Sequence, residues 1–386
     1  MRGKRSYEVI IVGAGSMGMA AGYFLAKHGV KTLLIDAFNP PHQFGSHHGD
    51  TRIIRHAYGE GRQYVSLALR AQNLWRELEE ESGKQLFEKT GVLVMGERQS
   101  AFLKETIESA DHFSLPVQVM TAKEVGERWP GISLPEDFVG CLETKSGVLY
   151  SEKCIESYKN LALKLGAELL VNTPVEKIGY DSGKSNDTWI QTKDGDFYAK
   201  KVIITSGAWT AKILNRLRLP LQPVRKVFAW FETDPGLFSY PDYPAFSFDL
   251  NNRLYYGFPS IADSGIKVGR HDSGQKVDPD KLNRNFGDYR SDENDLRFLL
   301  NRYMPKASGK LKNGKVCIYT RTPDGHFILD FHPESSNIVI GAGFSGHGFK
   351  FSSVIGEILS QMVLSGGTEY DISHFSLSRP ALKELL

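Results

Sequence analysis

Glu8-Val9-Ile10-Ile11-Val12-Gly13-Ala14-Gly15-Ser16-Met17-Gly18 decides the fold. Four β-branched residues after Glu8 read as a buried strand, and residues 17–27 read as a helix that stops at Gly29. A second apolar strand, residues 31–35, ends at Asp36. The glycines fit G-x-G-x-x-G. Gly13 permits the tight turn, Gly15 lets backbone approach a pyrophosphate, and Gly18 allows close helix–strand packing. The helix N-terminus offers free N–H groups to a phosphate, and Asp36 can accept hydrogen bonds from ribose hydroxyls. The reading is a dinucleotide site on a βαβ unit of a parallel sheet. The motif by itself does not separate FAD from NAD.

Two further strand ends repeat the theme. Residues 202–209, Val-Ile-Ile-Thr-Ser-Gly-Ala-Trp, run from an apolar strand into small residues. Residues 341–350, Gly-Ala-Gly-Phe-Ser-Gly-His-Gly-Phe-Lys, follow a strand at 338–340 and open an apolar helix at about 349–364. That helix start can stabilise negative charge on a ring system. Strand–glycine turn–helix units at opposite ends of the chain point to one long cofactor held between them, which favours FAD.

Outward from these units, residues 40–62 begin with Pro40 and Pro41, are dense in His, Arg and Gly, and read as a long functional loop without regular structure. Arg52 and Arg55 stand three apart, so one helical turn would bring them together to face an anion. His47 and His48 lack a third ligand at metal spacing, and no metal is expected. Leu67, Ala71, Leu74, Trp75 and Leu78 recur at helical spacing up to Gly83, with Glu77 and Glu79 to Glu81 on the solvated side. Thr121 and Glu124 form a capping box. A helix is expected at 152–165 and strands at 167–171 and 201–205, with Asn186 and Gly195 marking loops. From about 220 to 320 short strands alternate with Pro, Gly, Asp and Asn, which predicts a mostly antiparallel sheet. The fold class is therefore α/β: a Rossmann-like FAD-binding domain with a parallel sheet, at 1–90, 151–219 and 321–386. A sheet-rich substrate domain takes 91–150 and 220–320.

Composition fits this frame. The 386 residues are 41% hydrophobic and 24% charged, with a net charge of +2, so no nucleic acid or anionic membrane partner is expected. Cys141, Cys154 and Cys317 give neither a disulfide framework nor a CxxC pair, which fits the cytoplasm. On residue type alone Cys317 reads as a small core residue. Arg2, Lys4 and Arg5 before the apolar stretch 9–26 mimic a secretion signal, but Gly13, Gly15, Gly18 and Gly22 interrupt it as a nucleotide loop does. No stretch approaches the ~20 apolar residues of a membrane span.

The segments GSHHGDTRIIRHAYGEGRQYV, YYGFPS, GRHDSGQKVDPD, CIYTRTPDGHFILD, HPESSNIVIGAGFSGHGFKFSS and DISHFSLSRPALKE resemble the monomeric sarcosine oxidase family. The resemblance runs from about Tyr7 to the C-terminus, and its relatives include N-methyltryptophan, pipecolate and fructosyl amino acid oxidases. It implies FAD held covalently by a thioether to Cys317, with cofactor contacts from Gly13, Gly15, Gly18, Asp36, His48, Thr51, Arg52, Gly346, Gly348 and Lys350. It implies Arg52 over one flavin face and Lys267 at the other, where oxygen reacts. It implies Arg55 and Lys350 on the substrate carboxylate, and Tyr256, His271 and Tyr319 along the substrate cavity. The activity implied is oxidation of sarcosine and similar small secondary amino acids to glycine, formaldehyde and hydrogen peroxide, by a monomer. Ser247 stands where the family pattern has a pocket-walling Met, and Arg270, Asp272 and Ser273 flank His271 differently. The alternatives are the same chemistry on N-methyltryptophan or a glycated amino acid, a quinone-linked dehydrogenase, and an RNA-binding flavoprotein module.

Overall fold

The computed structural model describes residues 5–180, 188–251 and 253–383. Asn186, Arg2 and Lys4 lie outside them. The first strand, Arg5–Val12, pairs in parallel with Thr32–Ile35 on one side and Gly195–Ile204 on the other. Glu168–Leu170 and Ser335–Ala342 extend the parallel sheet at its two sides. Ile328–His332 then adds antiparallel to Ser335–Ala342, and the Val175–Tyr180/Thr188–Thr192 hairpin joins the first half of Gly195–Ile204. Successive side chains of a strand face opposite ways. Val9 and Ile11 accordingly pack under helices, while Ile10 and Val12 face the hairpin side.

The helices over that sheet are Ser16–Lys27, Val65–Ser82, Ser151–Lys164 and Ser352–Ser365. Small residues let the first and last of them touch. A Cβ on Gly356 would lie 2.5 Å from Ala20 Cβ, and one on Gly22 would lie 2.7 Å from Leu34. Ile355 and Leu359 are fully buried in this cluster, and truncating either to Ala would cost about 2–5 kcal/mol. Gly83 ends Val65–Ser82 at φ +64, and Thr121 and Glu124 form the capping box on Ala122–Arg128, as the residue types predict.

Among the described residues the second sheet has nine strands, with Gln222–Phe231 flanked by Leu311–Arg321 on one side and by Ile266–Arg270 and Gln275–Lys276 on the other. Leu254–Phe258, Ala245–Asp249, Val92–Glu97, Phe138–Glu143 and Val117–Thr121 follow in order. All its pairings are antiparallel except Ala245–Asp249 with Val92–Glu97. One face, including Ala229, Phe231, Val268, Tyr255 and Phe246, is buried under the helix Ser291–Tyr303. Register puts Lys267 beside Trp230 and Phe258, and Tyr256 beside Ser247, on the opposite face.

Two expectations are corrected. Residues 40–62 are not structureless: Thr51–Ile54 is a strand paired with Gly147–Tyr150, and Arg62–Tyr64 is a 3-10 turn. Alternating Thr, Arg and Ile satisfy a strand flanked by polar and apolar surroundings, which the density of His, Arg and Gly masked. Within the reading of 220–320 as strands, Ser291–Tyr303 is a helix, and Leu296, Leu299, Leu300 and Tyr303 carry its 3–4 spacing.

Candidate active site

A cavity of about 480 Å³ runs along the carboxyl ends of the parallel strands. Gly13, Gly15, Asp36, Thr205 and Trp209 line one part of it, and Arg52, Tyr319, Gly346, Gly348 and Phe349 another. The helix Ser16–Lys27 begins at Gly15 with no side-chain cap and no acidic residue in its first turn, so its leading N–H groups remain available to an anion. A Cβ on Gly15 would meet only His47 Nδ1, at 3.6 Å, whereas one on Gly13 would strike Thr205 O at 2.5 Å. Gly15 therefore opens the cradle and Gly13 makes the turn beneath it. Asp36 accepts from Ala14 N–H at 2.7 Å and Phe38 N–H at 2.8 Å, which fixes its carboxylate at the cavity wall. The uncapped N–H groups and the open cradle at Gly15 fit a dinucleotide's diphosphate.

A smaller chamber of about 80 Å³ shares Arg52, Tyr319, Gly346 and Phe349 with the large one. Its remaining wall includes Arg55, Glu60, Phe102, Ser247, Tyr256, Phe258, His271, Cys317, His347 and Lys350. A Cβ on Gly346, at φ +88, would enter the Tyr319 ring at 2.2 Å, so only glycine fits against this ring where the two cavities adjoin. Arg55 donates to Glu60 Oε2 at 2.6 Å and Ala57 O at 3.0 Å, and its guanidinium lies over the Tyr58 and Phe102 rings. Lys350 donates to Tyr58 Oη at 3.1 Å and His347 O at 2.9 Å.

The electrostatics are those of cations taken out of water. Burial, with Arg55 as a lesser cause and Glu60 opposing, draws the Lys350 ammonium down to about 7. Burial raises the Glu60 carboxyl, but the cations around it, Arg55 first, more than offset this and hold it well below its usual range. Burial pulls His271 down to about 3 and His347 to about 4, so both imidazoles are neutral near pH 7. His347 Nε2 meets Gly325 O at 3.0 Å, so this nitrogen carries the proton, and Nδ1 accepts from the Tyr58 hydroxyl at 2.8 Å. Cys317 is a free, buried thiol whose pKa is raised by desolvation.

Of the residues singled out by sequence, Arg52, Arg55, Tyr256, His271, Cys317, Tyr319 and Lys350 meet in the small chamber. Gly346 joins both cavities, while Gly13, Gly15, Asp36 and Gly348 line the large one alone. Gly18, His48, Thr51 and Lys267 line neither. Gly18 packs on Gly13 O, and His48 lies 5.8 Å from the Phe228 ring. Lys267 is 1% exposed and donates to the carbonyls of Gly49 and Thr51 and to Thr51 Oγ1. The helical turn expected to juxtapose Arg52 and Arg55 is absent. Arg52 lies in the strand Thr51–Ile54, bonded to the carbonyls of Ser46, His48 and Thr51, and Arg55 follows the strand's end. Sequence reading missed Glu60, His347, Tyr58 and Phe102. The Gly59-Glu60-Gly61 triplet, a carboxylate between two glycines in an arginine-rich stretch, was the available signal for Glu60.

Among the described residues no helix is long and apolar enough to cross a membrane, and no group of three or more His, Cys, Asp or Glu could hold a metal ion. The family of FAD dependent oxidoreductases matches residues 8–362. The chain is 57% identical over 386 residues to a monomeric sarcosine oxidase of Bacillus sp. (strain B-0618), covering 98% of each. It is 41% identical over 374 residues to an N-methyl-L-tryptophan oxidase of Salmonella heidelberg (strain SL476), covering 97% of this chain and 99% of the other. The fold is that of NikD, an unusual amino acid oxidase essential for nikkomycin biosynthesis, with a TM-score of 0.84 at 22% identity over 97% of this chain and 98% of that one. By its length of match and its identities, the chain belongs to the FAD dependent oxidoreductases and, within them, to the family of the monomeric sarcosine oxidases.

Proposed function

We propose that this protein uses FAD and oxygen to oxidise sarcosine and similar small secondary amino acids at the carbon–nitrogen bond. Two electrons and two protons leave the amine, water hydrolyses the resulting imine to glycine and formaldehyde, and oxygen takes up two electrons and two protons to become hydrogen peroxide. The carrying observation is the 80 Å³ chamber, where two buried cations stand among aromatic walls beside a cavity shaped for a dinucleotide. FAD supplies the two-electron acceptor; the chain supplies orientation and charge.

Arg55 and Lys350 take the carboxylate, a planar fork and a point charge on one anion. To do so Arg55 exchanges its bond with Glu60 for one with substrate. The neutral imidazole of His271, with Tyr256 and Tyr319, lines the amine's surroundings without adding charge. These uncharged groups, with the cations Arg55 and Lys350 in the same chamber, favour the uncharged amine, the form that releases electrons. Cys317 would hold the cofactor by a thioether, with Gly13, Gly15, Asp36, His48, Thr51, Gly346 and Gly348 as its other contacts. Arg52 and Lys267 would flank its ring system, Lys267 on the side where oxygen reacts. The protein would act as a cytoplasmic monomer.

Ser247 favours a second reading, the same reaction on a bulkier secondary amine. Its short side chain lines the chamber together with Leu254, Tyr256 and Phe258, where the family pattern has a longer Met. An oxygen electrode discriminates: rapid uptake with sarcosine supports the first reading. Negligible uptake with sarcosine beside rapid uptake with N-methyltryptophan or a fructosyl amino acid would establish the second.

A further inference from the structure

Lys267 and Arg52 are cations with no carboxylate in direct contact among the described residues, yet each has well-formed hydrogen bonds. Lys267 donates to Gly49 O, and Arg52 donates to His48 O at 2.6 Å. These carbonyls belong to two consecutive peptide units. The N–H groups of the same two units point to one acceptor: Gly49 N–H donates to Glu152 Oε1 at 2.6 Å, and Asp50 N–H donates to Glu152 Oε2 at 3.0 Å. The backbone is bent for this, with Gly49 at φ +110 and Asp50 at φ +69. Successive N–H groups turned to one side in this way make an anion-binding concavity. A Cβ at Gly49 would meet the Phe228 ring at 2.5 Å, so only glycine fits.

We infer that Glu152 is the counter-ion of both cations, acting through these two peptide units, and is a positioning residue for Lys267 and Arg52. The order is carboxylate, N–H end of the peptide dipole, C=O end, cation, and every adjacent pair attracts. The carboxylate polarises both peptides, so each carbonyl presents more negative charge than an isolated one. Glu152 is itself held by the Ser151 hydroxyl at 2.6 Å and sits in the first turn of Ser151–Lys164, where the helix favours an anion. Burial raises its pKa, but the Ser151 bond, the Arg52 charge and the two N–H groups together lower it.

Lys267 faces a defined set of groups. Three rings surround it, Phe228, Trp230 and Phe258, at 4.8, 5.3 and 4.5 Å. Burial lowers its pKa and the Arg52 charge lowers it further, while Asp50, Glu152 and the Cys317 thiol raise it. Asp50 is the rival anion, but its side chain is 59% exposed and lies 3.5 Å from Lys315, so water and that lysine screen it. Glu152 is half-buried and reaches Lys267 through covalently fixed dipoles. The consequence for oxygen chemistry rests on the reading of Lys267 given above; the charge pairing does not.

The test uses the holoenzyme labelled with [ε-13C]lysine, the Lys267 resonance being the one lost in Lys267→Met. In the wild type it should hold its charged position at pH 7. Glu152→Gln keeps one acceptor oxygen, placed as Oε1 is at 2.6 Å from Gly49 N and 3.3 Å from Asp50 N, and replaces the charge and the second acceptor by an amide NH2. Its Lys267 midpoint should fall by about one pH unit, a typical effect of losing a nearby opposite charge. Asp50→Asn should move it less than half as far. A midpoint unchanged in Glu152→Gln, a larger shift in Asp50→Asn, or a wild-type Lys267 already neutral at pH 7 overturns the inference. If Glu152→Gln does not fold, adding Lys267→Met should restore folding by removing the unpaired cation, and no recovery likewise overturns it. At a pH above the wild-type Lys267 midpoint, stopped-flow reoxidation of Glu152→Gln should slow by up to about tenfold, in parallel with the lost ammonium. A shifted titration with unchanged reoxidation would leave the pairing standing and remove Lys267 from the oxygen step.

Discussion

Replacing Lys350 by Met should abolish most of the pH dependence of carboxylate binding, and the structure gives the size and sign. Lys350 is buried and its pKa is drawn down to about 7, so it loses its proton as pH rises through neutrality. A carboxylate bound between Arg55 and Lys350 needs that proton. Truncating one partner of a buried charge pair costs about 2–5 kcal/mol. With Arg55 still in place about 2.7 kcal/mol is reasonable, roughly a hundredfold in affinity at 1.4 kcal/mol per decade. By linkage a hundredfold preference for the protonated form raises the bound-state pKa by about two units, to about 9. Wild-type affinity is then flat below pH 7, falls about tenfold per unit between 7 and 9, and levels off above. The ratio of wild type to Lys350→Met should shrink from roughly ninety at pH 6 to about two at pH 9.

The assay is a titration of the cofactor's absorbance with propionate, which stays ionised across this range. His271 at about 3 and His347 at about 4 titrate outside the window and add no slope. Lys226 is the competitor: burial first, then Arg321, brings it to about 7. It lines neither cavity and donates to the carbonyls of His271 and Ser273. Slope that survives in Lys350→Met therefore belongs to Lys226. A wild-type affinity flat from pH 6 to 9, or a variant with the full wild-type slope, refutes the assignment of Lys350.

Glu60→Gln should free Arg55 from its 2.6 Å partner and tighten propionate binding at pH 6 by about 1.5 kcal/mol, roughly tenfold. Because Glu60 also supports the Lys350 proton, the gain should shrink above pH 7, and an affinity unchanged at pH 6 would separate Glu60 from the clamp. Cys317→Ser should release all its flavin on acid precipitation while wild type retains it, and flavin lost from both would rule out the thioether. Lys267→Met should be reduced by amine nearly normally but reoxidise about a hundredfold to a thousandfold more slowly in air, the usual cost of one preorganised charge, and stopped-flow reoxidation equal to wild type would exclude it as the oxygen site.

The fold was legible where one residue type has one physical use. Gly13, with φ +94 under Thr205, and Asp36, bonded to Ala14, sit where the G-x-G-x-x-G spacing put them. The helix end at Gly83 and the cap at Thr121 were equally readable, because a left-handed residue and a reciprocal cap are local properties. The strand Thr51–Ile54 was not, since its partner Gly147–Tyr150 lies far along the chain and its polar half faces the site. The helix Ser291–Tyr303 was lost among turn-like Asp, Asn and Gly that precede it. The site divides in the same way. Seven singled-out side chains meet in one chamber, but residue type alone made Cys317 a core residue, and only the family resemblance gave it a role. Pairings such as Glu152 with the 48–50 backbone leave no trace in local spacing, because long-range contact alone creates them.

The two ways in which cations are balanced here explain where a substrate anion would go. Arg55 is paired directly with Glu60, a side chain 20% exposed and able to swing aside. Lys267 and Arg52 are satisfied by carbonyls of their own chain, which cannot leave without unfolding the 46–51 turn. A competing carboxylate can therefore displace Glu60 at the cost of one charge-assisted bond, while at Lys267 it would have to break several and enter a shell closed by three aromatic rings. Fixed backbone dipoles suit a cation whose task is to meet charge that develops during reaction, since they need no reorganisation. An exchangeable partner suits a cation that must release one anion to bind another. The same argument sets the order of sensitivity: carboxylate ligands should respond to Glu60 and Lys350 and be nearly indifferent to Glu152, although both carboxylates serve arginines only three residues apart.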